Sequence, residues 1–405
     1  MKVLITGAQF KNKGAQSLLF SMVDQLRKKD PDIDIYYLPL DDYRKYNKDD
    51  FRFNIIYGGM EAHYYENKPY MRPYLLLKAF ARKLIKKGSV GAGDVRALHR
   101  ILPEIDAIID VSGYQLTSKF PNEMNRKFLY YIEEAKRYSK KVVLMPQSFG
   151  PFDYKEQKDE MMALIRKNLN EADLVFARES EGYDILKEQF SVSKLRLSPD
   201  LVLQTGEIDY STIYTTLPAF DYPKLETTGN VAVIPNSETF RHGSEQTILG
   251  IYKNVIEHLL AKDKEIYIFR HSNDLSACEK IYRMFEGSQK VHLIKEEFEC
   301  AEYSEFVKQF DYIIASRYHA IVHAYKESVP AVIFGWAIKY QELAKLFGQS
   351  GYVFDITSGN ADLNAISASL DEMELRHRDE STRLTETLKS LKEHSCFDLC
   401  WDTIK

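Results

Sequence analysis

The sequence predicts an α/β protein of two successive domains, each built around a parallel sheet. The chain has 405 residues, whereas a typical domain has about 100–200. Short apolar, β-branched runs alternate along it with longer helical patterns, which is typical of βαβ units. This alternation stops between residues 206 and 229, a stretch of weak periodicity, and then resumes. We therefore expect one domain on each side of a linker.

In the first half, apolar runs predict strands and amphipathic stretches predict helices. The strands are expected at Lys2–Thr6, Ile33–Leu38, Asn54–Tyr57, Ala107–Val111, Lys141–Pro146, Leu174–Ala177 and Lys194–Leu197. The helices are expected at Ala15–Lys29, Glu123–Ser139, Glu156–Asn170 and Ser180–Phe190. These elements make a first domain of residues 1–205, followed by a linker at 206–229.

The same alternation predicts a second domain. Its strands are expected at Val231–Ile234, Ile266–Phe269, Val291–Ile294, Tyr312–Ala315, Ala331–Phe334 and Tyr352–Phe354. Its helices are expected at Glu245–Lys262, Asp274–Phe285, Tyr303–Phe310, Arg317–Lys326 and Tyr340–Phe347. A charged helical pattern follows. We assign residues 230–375 to the second domain and 376–405 to a C-terminal helical tail.

The charge balance argues against nucleic acid as a partner. The chain carries 55 Lys and Arg against 59 Asp and Glu, a net charge of −4, whereas nucleic-acid-binding proteins usually carry a strong basic excess. Its four cysteines are too few for a disulfide framework. The N-terminus enters an apolar strand without a signal-peptide pattern, and no run approaches the ~20 apolar residues that span a bilayer. We expect a soluble cytoplasmic protein.

Ligands of parallel sheets bind at the carboxyl ends of strands, and Arg178 directly follows the predicted strand Leu174–Ala177. Its guanidinium either binds an anion or forms a structural pair with Glu179. The sequence supports both interpretations equally.

The strongest local pattern follows the predicted strand Tyr312–Ala315. Ser316 is expected to cap the next helix, whose N-terminus favours an anion. Arg317 adds a planar cation that fits carboxylate or phosphate. His319 lies in the same turn, where it donates to phosphate or transfers a proton. His319 and His323 are spaced for a shared metal, but the sequence offers no third ligand, so we predict no metal site and a core position for His323.

Further cations stand at other strand ends of the second half. Arg270 and His271 follow one predicted strand, and Lys339 follows the loop after another. For Lys339 a solvated loop position is the competing interpretation. Several cations at one edge of a sheet imply an anionic ligand.

The loop after the first strand, Gly7–Gln16, precedes a helix in the manner of a phosphate-binding loop. It matches neither G-x-G-x-x-G nor G-x-x-x-x-G-K-[ST], so it carries no nucleotide fingerprint. The loop either contacts an acceptor or a phosphate, or is a plain strand-to-helix turn.

Taken in order, several motifs resemble the polysaccharide pyruvyl transferase family. They are Asn12-Lys13-Gly14-Ala15-Gln16, Pro146-Gln147-Ser148-Phe149-Gly150-Pro151, Ala177-Arg178-Glu179-Ser180, Ser198-Pro199-Asp200, Ser316-Arg317-Tyr318-His319-Ala320, Ser328-Val329-Pro330 and Lys339. The resemblance runs from Asn12 to about Phe347. The Gly-rich stretch with Asn that relatives carry is not matched at Ser112-Gly113-Tyr114-Gln115.

The resemblance implies a GT-B-like fold, in which two Rossmann-like domains with parallel sheets face a central cleft. It implies transfer of the pyruvyl group of phosphoenolpyruvate onto a sugar, oligosaccharide or lipid-linked saccharide, which gives a cyclic ketal and phosphate, with no cofactor besides this donor substrate. The second domain would take the donor and the first domain the acceptor. Arg317, His319 and Arg178 are the implied catalytic and donor-binding residues. Further candidates for substrate binding are Lys339, His271, Arg270, Asn12 and Gln147.

A glycosyltransferase with a GT-B fold that uses a nucleotide sugar is the alternative function. It shares the two-domain design and also needs cations, in its case for a diphosphate. The second half of the sequence marks no clear acidic contact for a ribose, which such an enzyme typically needs.

Residues 70–100 carry a separate hypothesis. The segment combines apolar residues such as Tyr74 and Leu77 with a run of cations: Lys78, Arg82, Lys83, Lys86, Lys87, Arg96 and Arg100. A basic amphipathic helix of this kind lies on an anionic membrane surface, here the inner face of the cell membrane. A solvated helix face is the competing interpretation. The sequence leaves the oligomeric state open.

Overall fold

The computed structural model describes residues 1–41, 43–85, 89–226 and 228–405, and its strands form two parallel sheets. The first sheet contains β1 (Lys2–Thr6), β2 (Asp34–Tyr37), β3 (Asn54–Ile55), β4 (Ala107–Asp110), β5 (Lys141–Gln147), β6 (Leu174–Ala177) and β7 (Leu195–Leu197). The second contains β8 (Asn230–Ile234), β9 (Glu265–Phe269), β10 (Val291–Ile294), β11 (Tyr312–Ala315), β12 (Ala331–Phe334) and β13 (Val353–Phe354). The predicted class, two parallel-sheet α/β domains, is confirmed.

Helices connect the strands. They are α1 (Lys13–Lys29), α2 (Met60–Asn67), α3 (Arg72–Ile85), α4 (Ala92–Ile101), α5 (Asn122–Arg137), α6 (Lys158–Glu171), α7 (Ser180–Phe190), α8 (Leu201–Gln204), α9 (Thr239–His242), α10 (Glu245–Ala261), α11 (Leu275–Tyr282), α12 (Cys300–Val307), α13 (Tyr318–Lys326), α14 (Ile338–Leu346), α15 (Leu363–Glu393) and α16 (Cys396–Ile404). Strands β4 and β11 are buried along their whole length, as expected for parallel sheets covered on both faces. Within the described ranges, no helix has the length and apolar character needed to cross a membrane.

The strand order places a crevice at the centre of each sheet. The orders are β3-β2-β1-β4-β5-β6-β7 and β10-β9-β8-β11-β12-β13, so the chain changes direction between β1 and β4 and between β8 and β11. Residues just beyond these strand ends, Gly7 and Ser112 in the first domain and Asn236 and Arg317 in the second, line one cleft. This is where the topology of such sheets predicts a ligand.

Helix α1 begins at the cleft and joins the two domains. Asn12 caps it, because its Oδ1 accepts hydrogen bonds from the backbone N–H groups of Gly14 at 3.0 Å and Ala15 at 3.4 Å. One turn later, the Gln16 Oε1 accepts from the backbone N–H of Cys300 in the second domain at 3.0 Å. The motif Asn12-Lys13-Gly14-Ala15-Gln16 therefore connects the two domains through Gln16.

Two histidines of α13 pack against the same turn of α1. Ser17 Oγ lies 2.8 Å from His323 Nε2, and His323 is fully buried, as predicted. At Gly14 an added Cβ would lie 2.3 Å from the Cγ of His319. The backbone of α1 thus approaches the His319 ring as closely as only a glycine allows.

The C-terminal segment returns to the first domain. Helix α15 runs unbroken from Leu363 to Glu393, so the boundary predicted at 375 falls inside it. Helix α16 then packs on β5 and α1, and the backbone N–H of Cys396 donates to Gln204 Oε1 at 2.8 Å. The described part of the predicted linker also contacts the first domain, through a bridge between Phe51 and Tyr214.

We predict that Gly14→Ala lowers the free energy of unfolding by about 1–3 kcal/mol, because the His319 ring or the first turn of α1 must move. In a His319→Ala background, Gly14→Ala is expected to lower the free energy of unfolding much less. Urea unfolding of the wild type, both single variants and the double variant measures this coupling. Strictly additive losses would contradict the contact.

Candidate functional site

A cleft of about 1070 Å³ lies between the two domains, and both line it. Its charged wall includes Lys119 and Arg178 from the first domain and Arg317 and Lys339 from the second, with His319 beside them. Aromatic side chains cover much of the remaining wall: Tyr114, Phe120, Tyr318, Trp336 and Tyr340. The volume exceeds that of a single small-molecule pocket.

Arg178 is buried at the end of β6 and is held on several sides. Its Nε donates to Glu179 Oε1 at 2.9 Å, its Nη1 to Asp200 Oδ2 at 2.8 Å and its Nη2 to Ser148 Oγ at 2.6 Å. Its Cζ lies 4.3 Å from the ring centroid of Tyr318 on α13. The structural pair with Glu179 is therefore present, and Arg178 also lines the cleft. These three contacts leave two of the five guanidinium N–H donors for a ligand.

Arg317 stands at the opposite wall and is also paired. Its Nε donates to Asp274 Oδ2 at 3.0 Å and its Nη2 to Asp274 Oδ1 at 2.6 Å. Asp274 is fully buried, whereas Arg317 is partly exposed to the cleft. The buried carboxylate holds the guanidinium in a fixed orientation with its remaining donors available.

The N-terminus of α13 has no side-chain cap. Arg317 occupies the N-cap position and makes no capping hydrogen bond, so the predicted capping role of Ser316 is wrong. The Ser316 hydroxyl instead lies 3.1 Å from the Tyr252 hydroxyl, which draws it away from the helix. The first N–H groups of α13 therefore lack a side-chain partner, which suits a bound anion.

Lys339 is a cation of the cleft wall whose charge is not compensated by a carboxylate in the described structure. It is half-buried, and within the described ranges no carboxylate oxygen lies within ion-pair distance of its ammonium. Its Nζ lies 5.4 Å from the ring centroid of Tyr318 and 5.9 Å from that of Tyr114. Burial, followed by the charge of Arg178, lowers the pKa of Lys339 to about 8.

His319 lies between the cations and the first domain. Its Nε2 is buried and has no hydrogen-bond partner in the described structure, and it lies 3.7 Å from Asp200 Oδ2. Burial, together with the charges of Arg178, Lys339 and Arg317, lowers the pKa of His319 well below its ordinary value. The imidazole is therefore neutral at physiological pH and able to accept a proton.

The other predicted site residues divide into two groups. Asn12 lines the cleft, although its Oδ1 is engaged as the cap of α1. Gln147, Arg270 and His271 are not among the lining residues. Arg270 pairs with Glu297 at 3.3 Å. Gln147, Arg270 and His271 instead contact neighbouring protein groups.

Two of these residues are completely buried. Gln147 Nε2 lies 3.4 Å from Asp110 Oδ1, and His271 Nδ1 lies 3.0 Å from Ser272 Oγ. No group of three His, Cys, Asp or Glu side chains that could hold a metal ion occurs in the described part of the chain.

The sequence predicted Glu179 as a partner of Arg178, but not Asp200 and Asp274, the other carboxylates that orient the two arginines. Asp200 lies three residues beyond β7, and Asp274 lies five residues beyond β9. Both stand at the same edges of the sheets as the cations. An acidic residue shortly after a predicted strand was therefore a usable signal for a partner of a strand-end arginine.

Comparison with known proteins gives a family and a fold. The family described as polysaccharide pyruvyl transferase matches residues 12–337. No curated protein sequence matches the chain.

The structure is similar to solved structures of two-domain GT-B proteins. A putative UDP-N-acetylglucosamine 2-epimerase from Listeria monocytogenes superposes with a TM-score of 0.57 at 12% identity, covering 95% of this chain and 91% of that one. The UDP-GlcNAc 2-epimerase from Neisseria meningitidis, bound to UDP-GlcNAc, gives 0.55 at 11% identity, with 100% and 99% covered. The enzyme from Methanocaldococcus jannaschii gives 0.54 at 11%, with 92% of each chain covered. At these identities the likeness shows the fold alone.

We predict that Arg178→Met lowers the free energy of unfolding by about 3–5 kcal/mol at neutral pH, because it leaves buried carboxylates without their cation.

Urea unfolding at neutral pH measures this loss. Arg126→Met is the control, because Arg126 pairs with Glu160 at the surface and its loss is expected to cost below about 1 kcal/mol. Equal losses in the two variants would contradict the buried network.

Proposed function

The chain belongs to the polysaccharide pyruvyl transferase family, and we propose that it transfers the pyruvyl group of phosphoenolpyruvate onto a sugar of a cell-surface polysaccharide or its precursor. The products are a cyclic pyruvate ketal and inorganic phosphate. The observation that carries the proposal is Lys339, an ammonium without a carboxylate partner in the described structure, close to two arginines and the uncapped start of α13.

Phosphoenolpyruvate carries a carboxylate and a phosphate on adjacent positions. Arg317 and Arg178 are held by their own carboxylates, both line the cleft, and each retains N–H donors that these carboxylates do not use. Their charges are therefore largely compensated, whereas Lys339 and the N-terminus of α13 are not. We assign the phosphate to Lys339 and α13, and the donor carboxylate to an arginine fork.

The acceptor sugar is assigned to the first-domain wall. There the rings of Tyr114 and Phe120 lie 5.5 Å apart, and both line the cleft. The Tyr114 hydroxyl donates to the carbonyl oxygen of Gly150 at 3.0 Å, which fixes the ring. Aromatic faces of this kind offer a sugar ring both apolar area and polar edges.

The reaction adds two acceptor hydroxyls to C2 of the donor. The first hydroxyl oxygen bonds to C2 while C3 takes up a proton and becomes a methyl group. The second hydroxyl oxygen then bonds to C2 as the C–O bond to phosphate breaks, which closes the ketal ring. Of the two hydroxyl protons lost, one balances the new C–H bond and the other leaves with phosphate. The scheme requires no cofactor.

His319 is assigned as the base that accepts a hydroxyl proton. Its imidazole is neutral because of burial and the surrounding cations. A donor anion in the cleft offsets those cations and raises the affinity of His319 for a proton when it is needed. Arg178, Arg317 and Lys339 stabilise the negative charge on the departing phosphate.

Ligand-dependent melting tests the donor. We expect phosphoenolpyruvate to raise the melting temperature by a steady increment for each tenfold rise in its concentration above the Kd, and UDP-N-acetylglucosamine to leave it unchanged. In His319→Gln the phosphoenolpyruvate shift is retained, but phosphate release with a panel of p-nitrophenyl glycosides as acceptors falls about 10²–10⁴-fold. Stabilisation by the nucleotide sugar alone would favour the glycosyltransferase alternative.

Lys339 makes donor binding pH-dependent. Its ammonium is charged below a pKa of about 8, so phosphoenolpyruvate affinity is expected to fall as the pH rises through that value. Lys339→Gln is expected to weaken binding about 10- to 100-fold, as loss of a charge-assisted hydrogen bond predicts. Lys339→Arg keeps its charge and should bind without the alkaline decline. Calorimetric titration at pH values below and above this pKa measures the phosphoenolpyruvate affinity of the wild type and both variants. An alkaline decline in the affinity of Lys339→Arg would locate the titrating group elsewhere.

A further inference from the structure

A second aromatic group lines the cleft, on the wall that belongs to the second domain. Trp336, in the loop after β12, is partly exposed there. The ring of His242, at the end of α9, lies 5.3 Å from the Trp336 ring between centroids and is exposed to the same cleft. The neighbouring Ile338 also lines the cleft and is 50% exposed. Aromatic and apolar surface is therefore uncovered here, in addition to the cations assigned to the donor.

Buried neighbours hold Trp336 in place. Its ring lies 5.4 Å from the ring of Tyr340, which is buried and donates its hydroxyl to the carbonyl oxygen of Ser316 at 3.0 Å. An added Cβ at Gly335 would lie 2.4 Å from the Cγ of Tyr340, so a glycine is needed where the backbone passes this ring. Trp336 is thus positioned before a ligand binds, which lowers the entropic cost of binding.

Polar groups accompany the exposed rings. Glu238 lines the cleft and pairs with Arg241 at 2.6 Å through its Oε1, which leaves its second carboxylate oxygen to accept from a ligand. The His242 imidazole forms no hydrogen bond within the described ranges, and its nitrogens can donate or accept. An aromatic ring with such groups at its edge matches a sugar, which offers an apolar face and a rim of hydroxyls.

The second aromatic group adjoins the donor site. The Lys339 Nζ lies 5.5 Å from the ring centroid of Tyr340, the neighbour of Trp336. It also lies 5.9 Å from the ring centroid of Tyr114 on the first-domain wall. Lys339 is therefore close to aromatic side chains of both domains.

We infer that Trp336, His242 and Glu238 form a second sugar subsite, and that the acceptor is an oligosaccharide. Its reacting sugar lies on Tyr114 and Phe120, and the adjoining sugar lies on Trp336. The inference rests on the proposed function, which assigns the donor phosphate to Lys339 and the reacting sugar to the first domain. A nucleotide fits this subsite less well, because its diphosphate would compete with the donor for the anion site at Lys339 and the start of α13.

Tryptophan fluorescence tests the subsite without any transfer reaction. The chain has two tryptophans, and Trp401 is not among the residues that line the cleft. In Trp401→Phe, the emission therefore comes from Trp336 alone. The probes are glucose, galactose, mannose and N-acetylglucosamine, each with its oligomers of two and four units.

We expect the emission of Trp336 to change on titration with at least one of these series. The affinity for the two-unit member should exceed that for the single sugar at least about tenfold, because only the former reaches the Trp336 ring while occupying the first-domain wall. A failure of every series to change the emission overturns the inference. A change with UDP alone also overturns it and assigns the subsite to a nucleotide.

Acceptor kinetics separate the subsite from the proposed reaction. Trp336→Ala is expected to raise the KM for p-nitrophenyl disaccharides at least about tenfold more than the KM for p-nitrophenyl monosaccharides, with a smaller effect on kcat. The control is Tyr70→Ala, which removes an aromatic ring that is 78% exposed outside the cleft and should keep both KM values. Tyr70 belongs to segment 70–100, whose membrane contact stays a prediction, and Lys86 and Lys87 of that segment lie outside the described residues.

Unchanged melting temperatures establish that each variant is folded. An equal rise of KM for both acceptor sizes in Trp336→Ala, or an equal effect of Tyr70→Ala, overturns the inference and leaves the proposed function in place. Length-dependent binding of oligosaccharides without phosphate release from phosphoenolpyruvate has the opposite meaning. It overturns the proposed function and supports the sugar subsite.

Discussion

The permanent charge of the buried Arg178 guanidinium organises the site. A guanidinium cannot escape the cost of burial by losing its proton, so it must be surrounded by acceptors. Those acceptors come from separate strand ends: Ser148 after β5, Glu179 after β6 and Asp200 after β7. The ring of Tyr318 completes the enclosure from the second domain. One side chain thereby ties three strand ends of the first domain to the helix that begins the opposite wall.

The cationic side chains of the cleft have two different roles. Arg178 and Arg317 are each fixed by a fully buried carboxylate, Asp200 and Asp274 respectively. They provide direction, because a paired guanidinium keeps one orientation. Lys339 is not paired in the described structure and its pKa is lowered, so it provides the attraction that a bound anion would satisfy. The two arginines thus orient a bound anion, whereas Lys339 supplies the uncompensated charge that attracts it.

The fold could be predicted from the sequence because each strand is marked by a short pattern of neighbouring residues. Each buried strand is a short apolar run, and every expected strand is present within a few residues of its predicted ends. The site could be predicted only in part. Strand-end cations and the adjacent partner Glu179 are visible in a linear sequence, but the other partners are distant: Asp200 is 22 positions from Arg178, and Asp274 is 43 from Arg317.

The error at Ser316 has the same origin. A serine at the start of a helix is a good cap by local rules, yet its hydroxyl contacts Tyr252, 64 positions away. Packing between distant elements decided the outcome. The apolar residues of α3 were likewise ambiguous: Leu75 is buried whereas Leu77 is exposed, and a helical pattern of apolar residues does not reveal which face the domain will cover.

The path of the chain between the domains restricts how the cleft can open. The polypeptide passes from the first domain to the second through residues 206–229 and returns through the end of α15 into α16, which lies on β5 and α1. Two covalent crossings define a line, and rotation about that line is the motion that stretches neither of them. We therefore expect the domains to move as a hinge with one principal degree of freedom. Twisting of one sheet past the other would be resisted by the backbone itself.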